Sequence, residues 1–424
     1  MLVIGSSKNY FVKKYFIANS VILKDLTQTA VSQRVNGRKL KGISAEKSNM
    51  VSGGKLMMIK ILLWLDVVRM AVLKEKNIFE AIKKIRRLYR LKQQYRLEKR
   101  LLKYARINKQ YYFSYNAPGW PSKAFDRYIS HQLTRLNDHQ ISLHTLILGI
   151  TTKCGFACEH CYEWKNLNTP ESLSHKDLYE IIQRFRNLGV SMVQITGGEP
   201  LNRIKDLISL IPCFPEIEFC MYTSGYKLSA DKAKQLSIAG LKSVTISLDH
   251  WSPGLHDRFR GRQGAFDWVV VAAKNVVHSN MLLCLSLCAT NDFISNYNLY
   301  QYFELAKSLG ASFIQILEPK AVGHYDGLPV SLDDNKIRLL EEFYEDGNFN
   351  PVYVDYPRVI YHGFYGRRMG CSGAGKDYLY VDMTGYAHKC PFSEKKLFNV
   401  LSDGLETSIE KMKKSGCHTL HGCS

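Results

Sequence analysis

Acidic residues are scarce at the start of this chain: residues 1–110 hold six Asp+Glu against 26 Lys+Arg, whereas the remainder carries 32 of each sign. The formal charge of +20 therefore resides in an N-terminal arm, and the rest is neutral. Such an arm suits an anionic membrane surface, nucleic acid or an acidic partner, and charge alone does not choose among them. A charge-rich helical face is most often simply solvated; a membrane surface comes next, and nucleic acid last, because no recognised RNA or DNA module is present. An apolar h-region followed by a small-residue cleavage site is also missing, so no signal peptide is read. Nor is there a clean membrane span: residues 55–75 are apolar and near spanning length, but Lys60, Asp66 and Arg69 make a lone span costly. A helix buried against protein or lying at a membrane surface is expected instead. Eleven cysteines in 424 residues are too few for a disulfide scaffold. Their clustering points to metal in a reducing compartment, the cytoplasm.

What is present, 46% apolar and 23% charged residues, resembles a soluble protein of two or three domains. Residues 1–54 hold no helical or strand period and are expected to be a disordered leader, with Met50, Met57 and Met58 as alternative starts. From 77 to 110 the apolar spacing and dense Lys/Arg predict one long basic helix, so 55–140 reads as a basic helical region. The turn-rich NAPGW, 116–120, precedes a further helix at 122–136.

Strand candidates then fall at 146–151, 192–196, 218–222, 243–247, 281–289 and 312–317, with amphipathic helices between them at 175–188, 202–211, 230–239, 265–278 and 296–309. Alternating β and α elements imply a parallel sheet. The expected fold class is α/β, a partial (β/α)6 TIM-like barrel over 141–330. A connecting region, 331–370, holds a helix at 331–345 and a Pro/Tyr-rich passage, and 371–424 reads as a small cysteine-rich domain.

The first strand feeds a polar loop in which Cys154, Cys158 and Cys161 fall within eight residues. Thiolates are soft ligands suited to iron–sulfur centres or zinc. Three of them leave one corner of a four-iron cluster open to a small molecule, whereas structural zinc would be closed by a fourth ligand. The alternatives are a zinc loop or three free thiols. The second strand ends in Gly197-Gly198-Glu199-Pro200, where paired glycines permit close backbone approach to a ligand and a carboxylate can accept from an ammonium. Hydroxyls at Thr223 and Ser247, and Arg260, follow later strands and suit a ribose and a carboxylate; ordinary caps and turns are the alternative. Cys213, Cys220, Cys284 and Cys288 read as core.

These motifs, in this order, resemble the radical S-adenosylmethionine (SAM) superfamily, whose signature is Cys-x3-Cys-x-aromatic-Cys after the first barrel strand; His160 takes the aromatic slot. The resemblance implies a 4Fe-4S cluster on Cys154, Cys158 and Cys161, with SAM on the open iron. It implies that Gly197, Gly198 and Glu199 hold the amino group of SAM, that Thr223 and Ser247 are hydroxyl contacts, that Arg260 pairs the SAM carboxylate, and that Glu318 lies near adenine. Cys371-x13-Gly385-x4-Cys390, with the hairpin YLYVDMTGYAHKC turning at 383–385, is similar to the opening of a SPASM or twitch domain. Cys371, Cys390, Cys417 and Cys423 are then expected to hold an auxiliary 4Fe-4S cluster; His418 and His421 leave zinc open.

The activity so implied is reductive cleavage of SAM to a 5′-deoxyadenosyl radical that abstracts hydrogen from substrate, with a flavodoxin- or ferredoxin-type donor supplying the electron. Sulfatase maturation is disfavoured, because Pro391 stands where an acid is expected after the second cysteine. The arm also lacks the strand-rich pattern of a leader-peptide binding domain. The first substrate class is a peptide or protein side chain, and the second a small metabolite or lipid-linked molecule at a membrane surface. A non-catalytic iron–sulfur electron carrier is the alternative of another class; the intact Gly-Gly-Glu and Arg260 oppose it.

Overall fold

A computed structural model describes residues 49–75, 77–94, 101–135 and 143–415. The leader expected at 1–54 lies outside these residues up to 48, and Cys417, Cys423, His418 and His421 lie outside them entirely. Strand β1 (Met50–Ser52) leads into helix α1 (Gly53–Lys74), followed by helix α2 (Ile78–Gln94), strands β2 (Lys103–Ile107) and β3 (Gln110–Tyr112), and helix α3 (Lys123–Arg135). The single long helix expected over 77–110 is therefore corrected: a hairpin, 103–112, begins within its last ten residues. Asn108 and Lys109 turn that hairpin with positive φ, 48° and 67°, as a two-residue loop between right-twisted strands requires. Pairing of β2 with β1 then overrides the helical spacing.

Packing of the arm follows from its apolar stripes. Leu63, Val67 and Ala71 of α1 lie at helical spacing against Phe125, Ile129 and Leu133 of α3. Beneath the barrel, Tyr112 and Tyr115 join Leu282, Cys284 and Phe313 in one buried cluster, and the Tyr115 hydroxyl hydrogen-bonds to Thr245. The Gly119 amide donates to the Glu218 carboxylate at 2.9 Å. The arm thus closes the end of the barrel at which its strands begin.

The strands expected from sequence are all present: β4 (Thr145–Gly149), β5 (Met192–Thr196), β6 (Glu218–Thr223), β7 (Ser243–Ser247), β8 (Leu282–Cys288) and β9 (Phe313–Leu317). Intervening helices are α4 (His175–Asn187), α5 (Ile204–Leu210), α6 (Ala230–Ala239), α7 (Pro253–Arg260), α8 (Ala265–His278) and α9 (Asn296–Ser308). Local chemistry sets their ends. Ser174 and Asp177 form a reciprocal capping box on α4, which buries Leu178, Ile181, Ile182 and Phe185. Gly240, with φ of 109°, stops α6 in the left-handed conformation.

Helix α10 (Asp334–Phe349) is followed by β10 (Arg358–Tyr361), which the Pro/Tyr-rich passage concealed, and α11 (His362–Met369). Four residues of β10 add in parallel to β9, and their burial, not any alternation legible in sequence, makes them a strand. Then come β11 (Tyr378–Val381), β12 (Tyr386–His388), β13 (Phe398–Asn399) and α12 (Leu405–Ser415). The described strands of this body form one sheet in the order β10-β9-β8-β7-β6-β5-β4-β11-β12-β13. It is parallel from β10 through β11 and antiparallel beyond. The fold is mixed α/β, a partial TIM-like barrel with extra C-terminal strands, and the hairpin turns at 382–385 on Gly385, φ 81°. Cys220, Cys284 and Cys288 are buried as expected; Cys213 is exposed, because it ends a short helical turn at the surface.

Candidate active site at the mouth of the barrel

Parallel strands deliver their C-terminal ends to one face, and the loops there hold the chemistry. Strand β4 runs out into the loop carrying Cys154, Cys158 and Cys161, all three free thiols in one cluster with Phe156 and Ala265. Burial raises the Cys154 thiol to about 11 and the Cys161 thiol to about 12, the neighbouring thiols adding to the effect. Among the described residues no three His, Cys, Asp or Glu side chains converge as they would on a single metal ion. Ligands that each take a different corner of a cluster have no need to.

Three other segments hold this loop in shape. Asn168 clamps the Cys154 backbone from both sides, its carbonyl accepting from the amide at 3.1 Å and its amide donating to the carbonyl at 3.0 Å. From the end of α7, the Phe259 carbonyl accepts from the Glu159 amide at 3.0 Å, and Arg262 donates to the Gly155 carbonyl at 2.8 Å. From the loop after β9, His324 Nδ1 donates to the Cys158 carbonyl at 2.8 Å while its ring stacks on Trp164 at 3.9 Å. Asn168 and His324 carry no motif and escaped the sequence reading. His160, in the aromatic slot, packs on Phe259 at 5.0 Å, and burial lowers its pKa to about 4, so the ring is neutral.

Gly197 and Gly198 face backbone. A Cβ on Gly197 would lie 2.7 Å from the Thr151 carbonyl, and one on Gly198 2.5 Å from that of Lys153. The glycines bring the β5 loop onto the cysteine loop, where the Gly198 and Glu199 amides donate to Thr151 and Lys153 at 2.7 and 2.8 Å. The close approach expected toward a ligand is thus made to the neighbouring loop. Glu199 is 3% exposed, and its carboxylate accepts from the Leu201 amide at 3.1 Å, the Thr223 hydroxyl at 2.6 Å, and both the amide and hydroxyl of Ser224. Four donors match the lone-pair capacity of a carboxylate.

Arg260, the last residue of α7, is buried with Nε 2.7 Å from Asp249 Oδ2, and its Nη1 donates to Cys158 Sγ at 3.3 Å. Burial works against the Asp249 carboxylate, yet the Arg260 charge and the Cys288 amide, which donates to Oδ1 at 3.0 Å, hold its pKa below the usual range. Nη2 of Arg260 is buried with no hydrogen-bond partner among the described residues. Asp249 stands two residues past β7, and only the fold shows it as the guanidinium's counter-charge. Ser247 ends β7, half-buried and in register with Ser286. Glu318 follows β9 and accepts from Tyr361 and Arg367 at 2.7 and 2.6 Å. Arg367 and Tyr361 outweigh burial and keep its carboxyl below the ordinary range.

At the C-terminal strands, the Tyr380 hydroxyl donates to Glu163, two residues past Cys161, tying β11 to the cysteine loop. Cys371 and Cys390 lie on segments joined by the Ala374 amide donating to the Lys389 carbonyl at 2.7 Å. Their thiols are half-buried and buried, respectively.

Over 156 residues the chain is 33% identical to the GTP 3′,8-cyclase of Clostridium perfringens (strain 13 / Type A), covering 35% of this chain and 47% of that enzyme. The chain thus spans about half the length of such curated relatives. A probable GTP 3′,8-cyclase of Saccharolobus islandicus (strain M.14.25) is 26% identical over 273 residues, 61% of this chain and 86% of that one. Among solved structures, Streptococcus suis SuiB bound to precursor peptide SuiA shares the fold with a TM-score of 0.55 at 17% identity, over 81% of this chain and 80% of that one. The Radical SAM superfamily model matches residues 148–286, from the end of β4 to within β8. That stretch carries the loops whose geometry is described above, and residues 148–286 belong to the radical SAM superfamily.

Proposed function

We propose that this protein is a radical SAM enzyme that abstracts hydrogen from a peptide or protein side chain. The reading is carried by Arg260, whose buried guanidinium touches the Cys158 thiol and keeps one donor unpartnered among the described residues at the mouth of the barrel. The residues fit the cofactors. Cys154, Cys158 and Cys161 form a soft three-thiol set for a four-iron cluster, and the open Nη2 donor suits the carboxylate of SAM. When bound, the cluster and SAM supply one electron and a 5′-deoxyadenosyl radical.

The chain's own part is positional. Gly197, Gly198 and Glu199 present the backbone of the β5 loop to the amino group of SAM, while Leu201, Thr223 and Ser224 occupy and fix the Glu199 carboxylate. Ser247 offers a hydroxyl to the ribose. Glu318, held by Tyr361 and Arg367, bounds the adenine side. Cys371 and Cys390, with Cys417 and Cys423, form a SPASM- or twitch-like auxiliary 4Fe-4S site, supported by the hairpin that brings the first two onto paired segments. A reducing flavodoxin- or ferredoxin-type protein supplies the electron in the cytoplasm.

A peptide substrate is favoured because the likeness to SuiB bound to its precursor peptide runs over 81% of this chain. A small metabolite is the second reading, favoured by the 33% identity to a GTP 3′,8-cyclase. Anaerobic reconstitution with iron and sulfide, then dithionite and SAM, should yield 5′-deoxyadenosine, and Cys158→Ala should yield none. A cluster-loaded protein that leaves SAM intact would be an electron carrier instead. Consumption of GTP under the same conditions would replace the peptide by the nucleotide.

A further inference from the structure

We propose that helices α1 and α2 seat this protein on an anionic membrane surface. Helix α1 buries one face on α3, and the opposite face carries Met58, Ile61, Leu62, Leu65 and Leu73, all 46–73% exposed. At 1.5 Å per residue this stripe runs about 24 Å. Arg69 interrupts it and is neutralised by Asp66 at 2.7 Å. Helix α2 continues the pattern: Phe79, 77% exposed, and Ile82 stand beside the exposed cations Arg86 and Arg90, while Lys83 pairs with Glu80 at 3.7 Å. An exposed apolar stripe flanked by cations is the arrangement of helices that lie in a lipid headgroup layer. No helix among the described residues is long and apolar enough to cross a membrane.

Charge decides the occupant. In a twofold contact between copies each patch would meet itself, bringing the α2 cations together. Residues 1–48 are no better suited, with nine Lys+Arg and two Asp+Glu. An anionic lipid surface satisfies the stripe and the cations at once.

The test is sedimentation of the full chain with vesicles of equimolar phosphatidylcholine and phosphatidylglycerol, against phosphatidylcholine alone, with light scattering of the free protein. Binding should require phosphatidylglycerol and weaken with salt. It should be abolished by Leu62→Glu with Leu65→Glu, and weakened about 30-fold by Arg86→Gln with Arg90→Gln, at about fivefold per cation. Circular dichroism checks that these surface variants stay folded. Failure to sediment with the anionic vesicles, equal binding to both vesicle types, or a stable dimer that the Leu62/Leu65 pair dissociates would overturn the proposal.

Discussion

Arg260 and Asp249 form a buried ion pair at the mouth of the barrel, Nε to Oδ2 at 2.7 Å. The carboxylate comes from the loop after β7 and the guanidinium from the end of the helix that follows, so the pair fixes the distance between them. From that anchor Arg260 reaches Cys158. Removing one partner strands a buried charge, a loss of about 3–5 kcal/mol in comparable pairs. Asp249→Asn should lower the thermal midpoint and reduce iron retained after reconstitution, and unchanged values of both would refute the anchoring role.

Gly198 is a steric requirement, not a conformational one. A Cβ there would overlap the Lys153 carbonyl, which is backbone and cannot swing aside. Gly198→Ala should therefore push the β5 loop off the cysteine loop, costing about 1–3 kcal/mol. A displacement near 1 Å should also slow SAM cleavage about 100-fold. Urea denaturation and 5′-deoxyadenosine formation measure the two effects, and a variant that matches the parent in both excludes the contact as a constraint.

Thr223 donates its hydroxyl to the buried Glu199 carboxylate at 2.6 Å. Thr223→Val keeps the shape and removes the donor, leaving an acceptor short of a partner at about 1–3 kcal/mol. SAM affinity should fall with it, as read by equilibrium binding to the cluster-loaded protein. Thr223→Ser should restore both quantities; failure of that rescue would mean that the methyl group, not the hydrogen bond, matters.

Glu218 gives the fold a dependence on pH. Burial raises its carboxyl from 4.5 to about 7, opposed by the Gly119 amide and by Lys242. Between those values the folded state holds a proton that the unfolded chain releases. The stabilisation is therefore complete below 4.5 and lost as pH rises through about 7. At about 1.4 kcal/mol per pH unit the swing is on the order of 3 kcal/mol. Glu218→Gln stays neutral throughout, so its stability relative to the parent should rise across that window. Parallel profiles of midpoint against pH for the two proteins would show that Glu218 titrates normally.

Much of the barrel was legible because its strands are short apolar runs bounded by turn residues and its helices keep a clean 3.6-residue period, as in Leu178, Ile181, Ile182 and Phe185. Strand β10 was not, since four residues among tyrosines and prolines carry no period and become a strand only by pairing with β9. The hairpin of β2 and β3 was hidden for the opposite reason: its residues also fit a helical spacing, and the pairing of β2 with β1 decides against it. At the site, the cysteines and the Gly-Gly-Glu segment stood out by spacing, whereas Asn168 and His324 could not. Each works by reaching a backbone carbonyl or amide of a loop it does not border in sequence.

The sequence by itself determined which side chains are available and in what order along the chain: three soft thiols after one apolar strand, paired glycines after the next, and an arm that holds the net charge. Spacing of residue types is a local property, so it survives without coordinates. Tertiary structure alone decided the partners: that Asp249 balances Arg260, that the glycines meet the cysteine loop, and that one side of α1 is left bare beside the cations of α2. Those are relations between segments distant along the chain, and they are set by how the sheet registers and the helices pack.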